Sequence, residues 1–267
     1  MKYELGPLEA ELLFTLEREG RKVFTSNDAK RILDCSDEVL RKVLHRLALK
    51  GRVQRIKRGN YILVPARAGY QTMWTEHAFS FVDNILDEYY VGYWTALNYW
   101  RMTEQIPRTV FIATQKRRRN FTYANVVPIH FVTVSPHKFF GWATEKIGDA
   151  KFNISDREKT ILDSLDQLQY AGGISEAAKG LRANLDWEKM IAYADRLRNR
   201  SVRKRLGYLI EVLELRINEG ALEQLRRSIG SGYSWLDPTA PKTMLKTSPK
   251  WRLKVNVQPE IIRSAGS

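Results

Sequence analysis

The spacing of hydrophobic residues predicts three helices within the first 50 residues. Leucines recur at helical intervals from Pro7 to Arg18, with glutamates between them, and Gly20 follows. A short second helix is predicted after the run Thr25–Asp28, whose side-chain oxygens can cap its first turn. A third helix is predicted after Ser36 and ends at Gly51. Its inward positions are Leu40, Val43, Leu44 and Leu47.

Two short alternating segments come next, at residues 52–56 and 61–64, and a turn at 57–60 joins them. This pattern is typical of a β-hairpin. Three helices followed by a hairpin are the elements of a winged helix-turn-helix, so we predict that residues 1–66 form such a domain. In DNA-binding examples a helix enters the major groove and positions side chains at base edges.

The remainder, residues 67–267, is predicted to be a larger mixed α/β domain that ends in a helical bundle, which makes the chain α+β overall. Helical segments are expected near 76–87 and 92–102, and strands at 108–114 and 126–134. Residues 115–120 between these strands are interpreted as the tip of a hairpin. From 155 to 228 the pattern is mostly helical.

Positive charge is concentrated rather than spread evenly. The chain holds 44 lysines and arginines against 30 acids, a formal charge of +14, yet no acid occurs from Val39 to Thr75. A basic folded domain commonly binds nucleic acid. A solvated surface would also explain such a block, and winged helices also serve as protein-interaction modules. The unbroken positive sign from the third helix through the hairpin favours DNA.

The predicted DNA contacts fall in four groups. The third helix supplies base-edge contacts, the hairpin and the start of the second helix supply phosphate contacts, and two later basic segments act as backbone clamps. A solvated loop remains an alternative for the segment at 116–119. The residues are Ser26, Asn27, Arg41, Lys42, His45, Arg46, Arg55, Lys57, Arg58, Asn60, Lys116, Arg117, Arg118, Arg119, Arg198, Arg200, Arg203 and Lys204.

The last of these groups lies at the start of a helix predicted over 201–217. Its cations Arg200, Arg203 and Lys204 are expected to project from the polar side of that helix. Cations near a helix N-terminus oppose the helix dipole. This choice of residues indicates an anionic ligand or a neighbouring acidic helix.

Residues typical of enzymes are sparse. With one cysteine and four scattered histidines, the chain offers neither an intramolecular disulfide nor a thiolate zinc cluster, and phosphate-loop, GxGxxG and HExxH motifs are absent. Asp156, Glu158, Lys159 and Asp163 could hold Mg²⁺ in a nuclease. We interpret them instead as a helix start capped by Ser155, with acids in its first turn and Asp163 on its outer face. We therefore expect no catalytic residue, metal or cofactor; a metal-dependent nucleic-acid-processing enzyme and an interaction scaffold remain alternatives.

Membrane association is not indicated either. No window approaches the roughly 20 consecutive apolar residues that span a bilayer, and the N-terminal stretch carries Glu4, Glu9 and Glu11 where a signal peptide has a cationic and then an apolar stretch. The expected location is the cytoplasm.

Several short strings, in their order along the chain, resemble the AbiEi antitoxin family, the regulatory half of AbiE-type abortive-infection toxin–antitoxin systems. They stand at residues 57–61, 93–97, 154–163, 170–173, 205–208 and 236–238.

The resemblance implies a transcriptional autorepressor whose winged helix binds inverted repeats in double-stranded DNA upstream of its own operon. It also implies that the C-terminal domain is an antitoxin in antiviral defence, which counteracts a partner toxin of the nucleotidyltransferase type, AbiEii, without requiring a stable complex.

Overall fold

The structure, a computed structural model of the chain, describes residues 4–64, 82, 86–123, 127–147 and 150–265, without the side chains of residues 56, 57 and 150. Two compact units are present. The first comprises Met1–Asp87, Arg119–His130 and Lys146–Phe152. The second comprises Glu88–Arg118, Phe131–Glu145 and Asn153–Ser267.

The N-terminal module, residues 4–64, contains the predicted three helices and hairpin. The helices are α1 (Pro7–Arg18), α2 (Ser26–Leu33) and α3 (Asp37–Leu49). The strands are β1 (Val23–Thr25), β2 (Val53–Lys57) and β3 (Asn60–Leu63). They form an antiparallel sheet of order β1-β3-β2, so the hairpin β2–β3 gains a third strand from the segment before α2.

One apolar core joins these elements. Leu12 and Leu16 of α1, Phe24 of β1 and Leu47 of α3 are almost completely buried, as the helical spacing of the leucines requires. The apolar residues that recur every three to four positions therefore face one common core. Helix α3 begins at the predicted cap, where the Ser36 hydroxyl accepts a hydrogen bond from the Val39 amide.

A six-stranded sheet follows, with the strand order β6-β7-β5-β4-β9-β8. Strand β4 is antiparallel to β5 and parallel to β9. Helix α4 (Tyr93–Tyr99) comes directly after β4. The strands are β4 (Tyr90–Val91), β5 (Val110–Thr114), β6 (Phe121–Tyr123), β7 (Val127–Thr133), β8 (Trp142–Ile147) and β9 (Ala150–Ser155).

This order corrects the prediction of a hairpin with its tip at 115–120. Because β7 lies between β5 and β6 in the sheet, residues 115–120 form a crossover connection, and the hairpin is β6–β7. The sequence prediction missed the three-residue strand β6, which is too short to show alternation.

The C-terminal part is mainly helical and ends with a small sheet of order β10-β12-β11. Its core contains Leu162, Leu165, Leu206, Leu209 and Trp251, all completely buried. The helices are α5 (Arg157–Asp166), α6 (Ile174–Lys179), α7 (Trp187–Leu197), α8 (Arg200–Val212), α9 (Glu219–Arg227) and α10 (Pro259–Ser264). The strands are β10 (Ser234–Trp235), β11 (Lys246–Ser248) and β12 (Leu253–Val255).

The structure thus has the predicted mixture of helices and sheets, with helices predominating between residues 157 and 227. The helix predicted at 76–87 lies mostly outside the described residues. Within the described part of the chain, no helix combines the length and apolar character needed to cross a membrane.

Candidate nucleic-acid interface

The outer face of α3 carries the basic side chains that the sequence predicted for base contacts. Leu40, Val43, Leu44 and Leu47 pack into the core, and this leaves the intervening positions exposed. These positions carry Arg41, Lys42, His45 and Arg46, which are all exposed. Helical periodicity alone therefore places four cationic or titratable side chains on one accessible surface.

The first turn of α3 provides hydrogen-bond acceptors for two of these cations. Lys42 Nζ lies 2.7 Å from Glu38 Oε1, and Arg41 Nε donates to the Asp37 carbonyl at 3.2 Å. Lys30 of α2 pairs with the Asp37 carboxylate at 2.6 Å. Exposed pairs of this kind contribute little to stability, because solvent and salt screen them. A phosphate or base edge can therefore replace them at small cost.

The hairpin turn is ordered by its own residues. Gly59 adopts φ +77°, a conformation that favours glycine, and Asn60 Nδ2 donates to the Arg58 carbonyl at 3.3 Å. The side chain of Asn60 thus supports the turn, while the side chains of Arg55 and Arg58 are exposed. The side chain of Lys57 lies outside the described residues.

The turn is also joined to the start of α2. The Ser26 amide donates to the Gly59 carbonyl at 2.8 Å, and the Asp28 amide donates to the Thr25 hydroxyl at 3.1 Å. Two of the first three amides of α2 are therefore occupied, which leaves fewer donors for the phosphate contact that was predicted at this helix start. Asn27 is exposed at this helix end, and Ser26 is half-buried.

The carboxylate of Asp28 completes the capping of this helix start. Asp28 accepts hydrogen bonds from the Thr25 amide at 2.9 Å and the Thr25 hydroxyl at 2.6 Å, forming a capping box. These bonds lower the pKa of Asp28 to about 2. At neutral pH a carboxylate that is paired with Arg21 and Arg31 therefore lies at the position where a phosphate was expected.

The crossover segment 115–120 is exposed throughout, including Lys116, Arg117, Arg118 and Arg119. Its backbone is anchored at one end, where the Lys116 amide donates to the Thr114 hydroxyl at 3.4 Å. The four predicted clamp residues are accessible, although the segment is a crossover and not a hairpin tip.

The structure separates the predicted clamp on α8 into accessible and buried residues. Arg198 and Arg200 are exposed. Arg203 and Lys204 are buried, because α8 packs against neighbouring elements on nearly all sides. Arg203 pairs with Asp195 at 2.8 Å, and Lys204 donates to the Gly232 carbonyl and, at 3.4 Å, to the Ser234 hydroxyl. The prediction that these two side chains project outward is wrong.

The acidic cluster on α5 also differs from its interpretation. Asp156, rather than Ser155, caps α5 by accepting from the Lys159 amide at 2.9 Å. Asp163 is not on an outer face: it is buried, contacts Lys159 Nζ and accepts from the Tyr90 hydroxyl at 2.8 Å. Glu158 bonds to the Asp186 amide at 3.0 Å. Among the described residues, no group of histidine, cysteine and acidic side chains is arranged to hold a metal ion.

Comparison with known proteins finds a family match within the N-terminal module. Residues 11–64 match the family model described as "Transcriptional regulator, AbiEi antitoxin". The match covers α2, α3 and the hairpin. No curated protein matches the chain.

A solved structure is similar over the whole length. The crystal structure of the RV2827C protein from Mycobacterium tuberculosis superposes with a TM-score of 0.63 at 10% sequence identity, and the alignment covers 99% of this chain and 97% of the other. At this identity the likeness concerns the fold alone.

Proposed function

We propose that the protein is a sequence-specific DNA-binding autorepressor, because residues 11–64 match the family model of AbiEi antitoxin transcriptional regulators. By this proposal residues 1–66 are a winged helix-turn-helix domain, and α3 reads base edges in inverted repeats upstream of the protein's own operon. The observation that carries the proposal is the exposed face of α3, on which Arg41, Lys42, His45 and Arg46 lie together.

The hairpin and the exposed crossover segment take supporting roles in this proposal. Arg55, Lys57 and Arg58 contact phosphates next to the groove that α3 enters, while residues 116–119 and the exposed Arg198 and Arg200 contribute further backbone contacts. Phosphate contacts fix position and strengthen binding without reading sequence. Asn60 acts on the turn itself, since its amide bonds to the Arg58 carbonyl.

The test compares binding of the full chain to its upstream DNA and to a scrambled duplex of equal length by fluorescence anisotropy. We expect a clear preference for the upstream DNA. Arg41→Gln should lower that preference about tenfold, because a lost base contact costs about 1–3 kcal/mol. Arg18→Gln removes the same charge from an exposed site on α1 and should leave the ratio unchanged. Equal binding of both duplexes by the unchanged protein would refute the proposal.

We further infer that residues 67–267 are the antitoxin domain and that the protein acts in the cytoplasm on a nucleotidyltransferase-type toxin, in an abortive-infection role. What supports this is the match of residues 11–64 to the family model of AbiEi antitoxin transcriptional regulators. Co-expression with a nucleotidyltransferase encoded beside it should restore growth. Arg41→Gln should relieve repression of the operon but still protect the cell. Absence of protection by the unchanged protein would refute the antitoxin role.

A further inference from the structure

A cavity of about 570 Å³ lies in the second unit, against the end of α4 and the end of α6. Its apolar lining comes from the buried Met102 and the half-buried Ala183. Gly180 lets the two chain segments approach, because a Cβ atom there would lie 3.3 Å from Met102 Sδ. The volume is in the range of small-molecule sites in proteins. The lining residues are Asn98, Arg101, Met102, Thr103, Glu104, Lys179, Arg182 and Ala183.

Arg101 occupies a backbone position that glycine usually takes. The chain leaves α4 through two hydrogen bonds, from the Arg101 amide to the Asn98 carbonyl at 3.0 Å and from the Met102 amide to the Leu97 carbonyl at 2.8 Å. This is the Schellman pattern, in which the residue after the helix is left-handed and most often glycine. Arg101 has φ +56°, which is unfavourable for a residue with a Cβ atom. A locally unfavourable residue indicates a role for its side chain, and this side chain lines the cavity.

Two guanidinium groups at the cavity have N–H donors to spare. Arg101 is exposed, and among the described residues its side chain has no hydrogen-bond or ion-pair partner. Arg182 is also exposed and donates from Nη2 to the Arg263 carbonyl at 2.9 Å, while no acid in the described part of the chain pairs with it. This bond fixes the position of Arg182 and leaves its other N–H groups for a ligand.

The acids at the cavity are already engaged by a lysine. Lys179 Nζ lies 2.6 Å from Glu104 Oε1 and 2.8 Å from Glu176 Oε1. The charged side chains that line the cavity, or pair with one that does, are therefore two carboxylates and three cations, since Arg101 and Arg182 also line it. One positive charge is left over. A ligand with a single negative charge would balance it, whereas a doubly charged phosphate would exceed it.

We propose that this cavity binds a small organic acid, with its carboxylate on Arg101 and Arg182 and its apolar part against Met102 and Ala183. A guanidinium presents its N–H groups as a planar fork that matches the two oxygens of a carboxylate. The site lies wholly in the second unit and uses none of the residues assigned to DNA contacts. It is therefore a binding activity separate from the proposed function, and each can fail without the other.

The first experiment labels the methionine methyl groups of the full chain with ¹³C and follows them by NMR during titration with hexanoate. Met102 lines the cavity, whereas Met190 is buried elsewhere in the core and Met244 is exposed. We expect a saturable shift of the Met102 methyl group and no comparable shift of the other two. Met102→Leu identifies the resonance with little change in packing. An unchanged Met102 resonance, or equal shifts of all three methyl groups, would overturn the proposal.

Matched probes test the class of ligand at constant ionic strength. Hexanol has the same chain without the charge, acetate has the charge with almost no chain, and inorganic phosphate is a different oxyanion. We expect hexanoate to bind most tightly, and affinity to fall about fourfold for each methylene group removed from it. Equal binding of hexanol would show that the arginines take no part. Tighter binding of phosphate would show that the ligand is not an organic acid. Either result contradicts the proposal.

Variants assign the carboxylate contact to Arg101. Arg101→Gly removes the guanidinium but places glycine at a left-handed position, so the fold should persist, and hexanoate should bind about tenfold more weakly. Arg216→Gly makes the same substitution at an exposed position that does not line the cavity, and the affinity should not change. Thermal unfolding verifies that both variants are folded. Equal affinities of the two variants for hexanoate would refute the assignment.

Discussion

At the scale of single residues, the cluster of Lys159, Asp163 and Tyr90 shows how the fold offsets the free-energy cost of burying charged groups. The lysine and the aspartate are in contact, and the Tyr90 hydroxyl lies 3.0 Å from Lys159 Nζ and 2.8 Å from Asp163 Oδ2. Burial raises the pKa of Asp163 and lowers that of Lys159, because it disfavours charge on both groups. The contacts among the three side chains offset this cost.

Removing one member should therefore be more harmful than removing two. We expect Lys159→Met to lower the free energy of unfolding by about 3–5 kcal/mol, because an unpaired buried carboxylate remains. The double variant Lys159→Met with Asp163→Leu should recover much of the loss. Urea denaturation measures both. Lys151→Met, at an exposed position of β9, is the control, and a single variant at Lys159 as stable as this control would contradict the prediction.

Asp28 leads to a pH-dependent prediction. Hydrogen bonds from Thr25 lower the pKa of Asp28 to about 2 in the folded protein, against an ordinary value near 3.8. A depressed folded-state pKa contributes stability above the unfolded value, and this stability is lost as pH falls toward the folded one. Asp28→Ala should thus lower the free energy of unfolding by about 1 kcal/mol at neutral pH. The difference in free energy of unfolding between this variant and the unchanged protein should become smaller from pH 4 to pH 2. A constant difference across this range in denaturation experiments would contradict the explanation.

At the scale of elements, Gly207 in α8 allows Trp251 to reach the core. A Cβ atom at position 207 would lie 2.1 Å from Trp251 Cζ3, and the indole is held by a 2.8 Å hydrogen bond from its Nε1 to Glu211. Alanine is usually about 1 kcal/mol better than glycine inside a helix. At position 207, contact of the added methyl group with the indole ring should make alanine less stable than glycine.

We expect Gly207→Ala to destabilise the protein by about 1–3 kcal/mol, the range for overpacked cores. Denaturation monitored by tryptophan fluorescence would show this directly. Gly232→Ala has open space around the added methyl group and should change stability by less than about 0.5 kcal/mol. Equal stability of the two variants would show that Trp251 can move aside.

The elements differ in how well the sequence predicts them. Helix α3 and the hairpin were predicted closely because each has one buried and one exposed side, so that polar residues mark the surface. Helices α5 and α8 are buried on nearly all sides. Their polar residues Asp163, Arg203 and Lys204 therefore lie inside, and periodicity assigns them to the surface. Partners distant in sequence, such as Tyr90 and Gly232, decide this, and local spacing does not reveal them.

At the scale of the whole molecule, the excess of 14 positive charges gives a prediction about salt. Each phosphate contact adds about 0.9 to the slope of log affinity against log salt for duplex DNA. Arg117→Gln with Arg118→Gln should flatten that slope by about 2 if both exposed side chains contact DNA, and should weaken all duplexes alike. Lys242→Gln with Lys246→Gln makes the same change in net charge at other exposed positions. Identical slopes for the two double variants would exclude residues 117 and 118 from the interface.

Overall charge and composition indicated a nucleic-acid partner, but they could not separate accessible cations from buried ones. Of the predicted clamp on α8, Arg198 and Arg200 are exposed, whereas Arg203 and Lys204 serve internal contacts.

The hydrogen bond from the Ser26 amide to the Gly59 carbonyl links two elements that are 33 residues apart in the sequence. This amide is at the first position of α2, so no helical carbonyl protects it from solvent. Its rate of exchange with deuterium therefore follows the opening of the hairpin turn instead of the unwinding of the helix. Ser26 thus offers a single natural reporter of hairpin motion, and any duplex that presses the turn against α2 should slow its exchange.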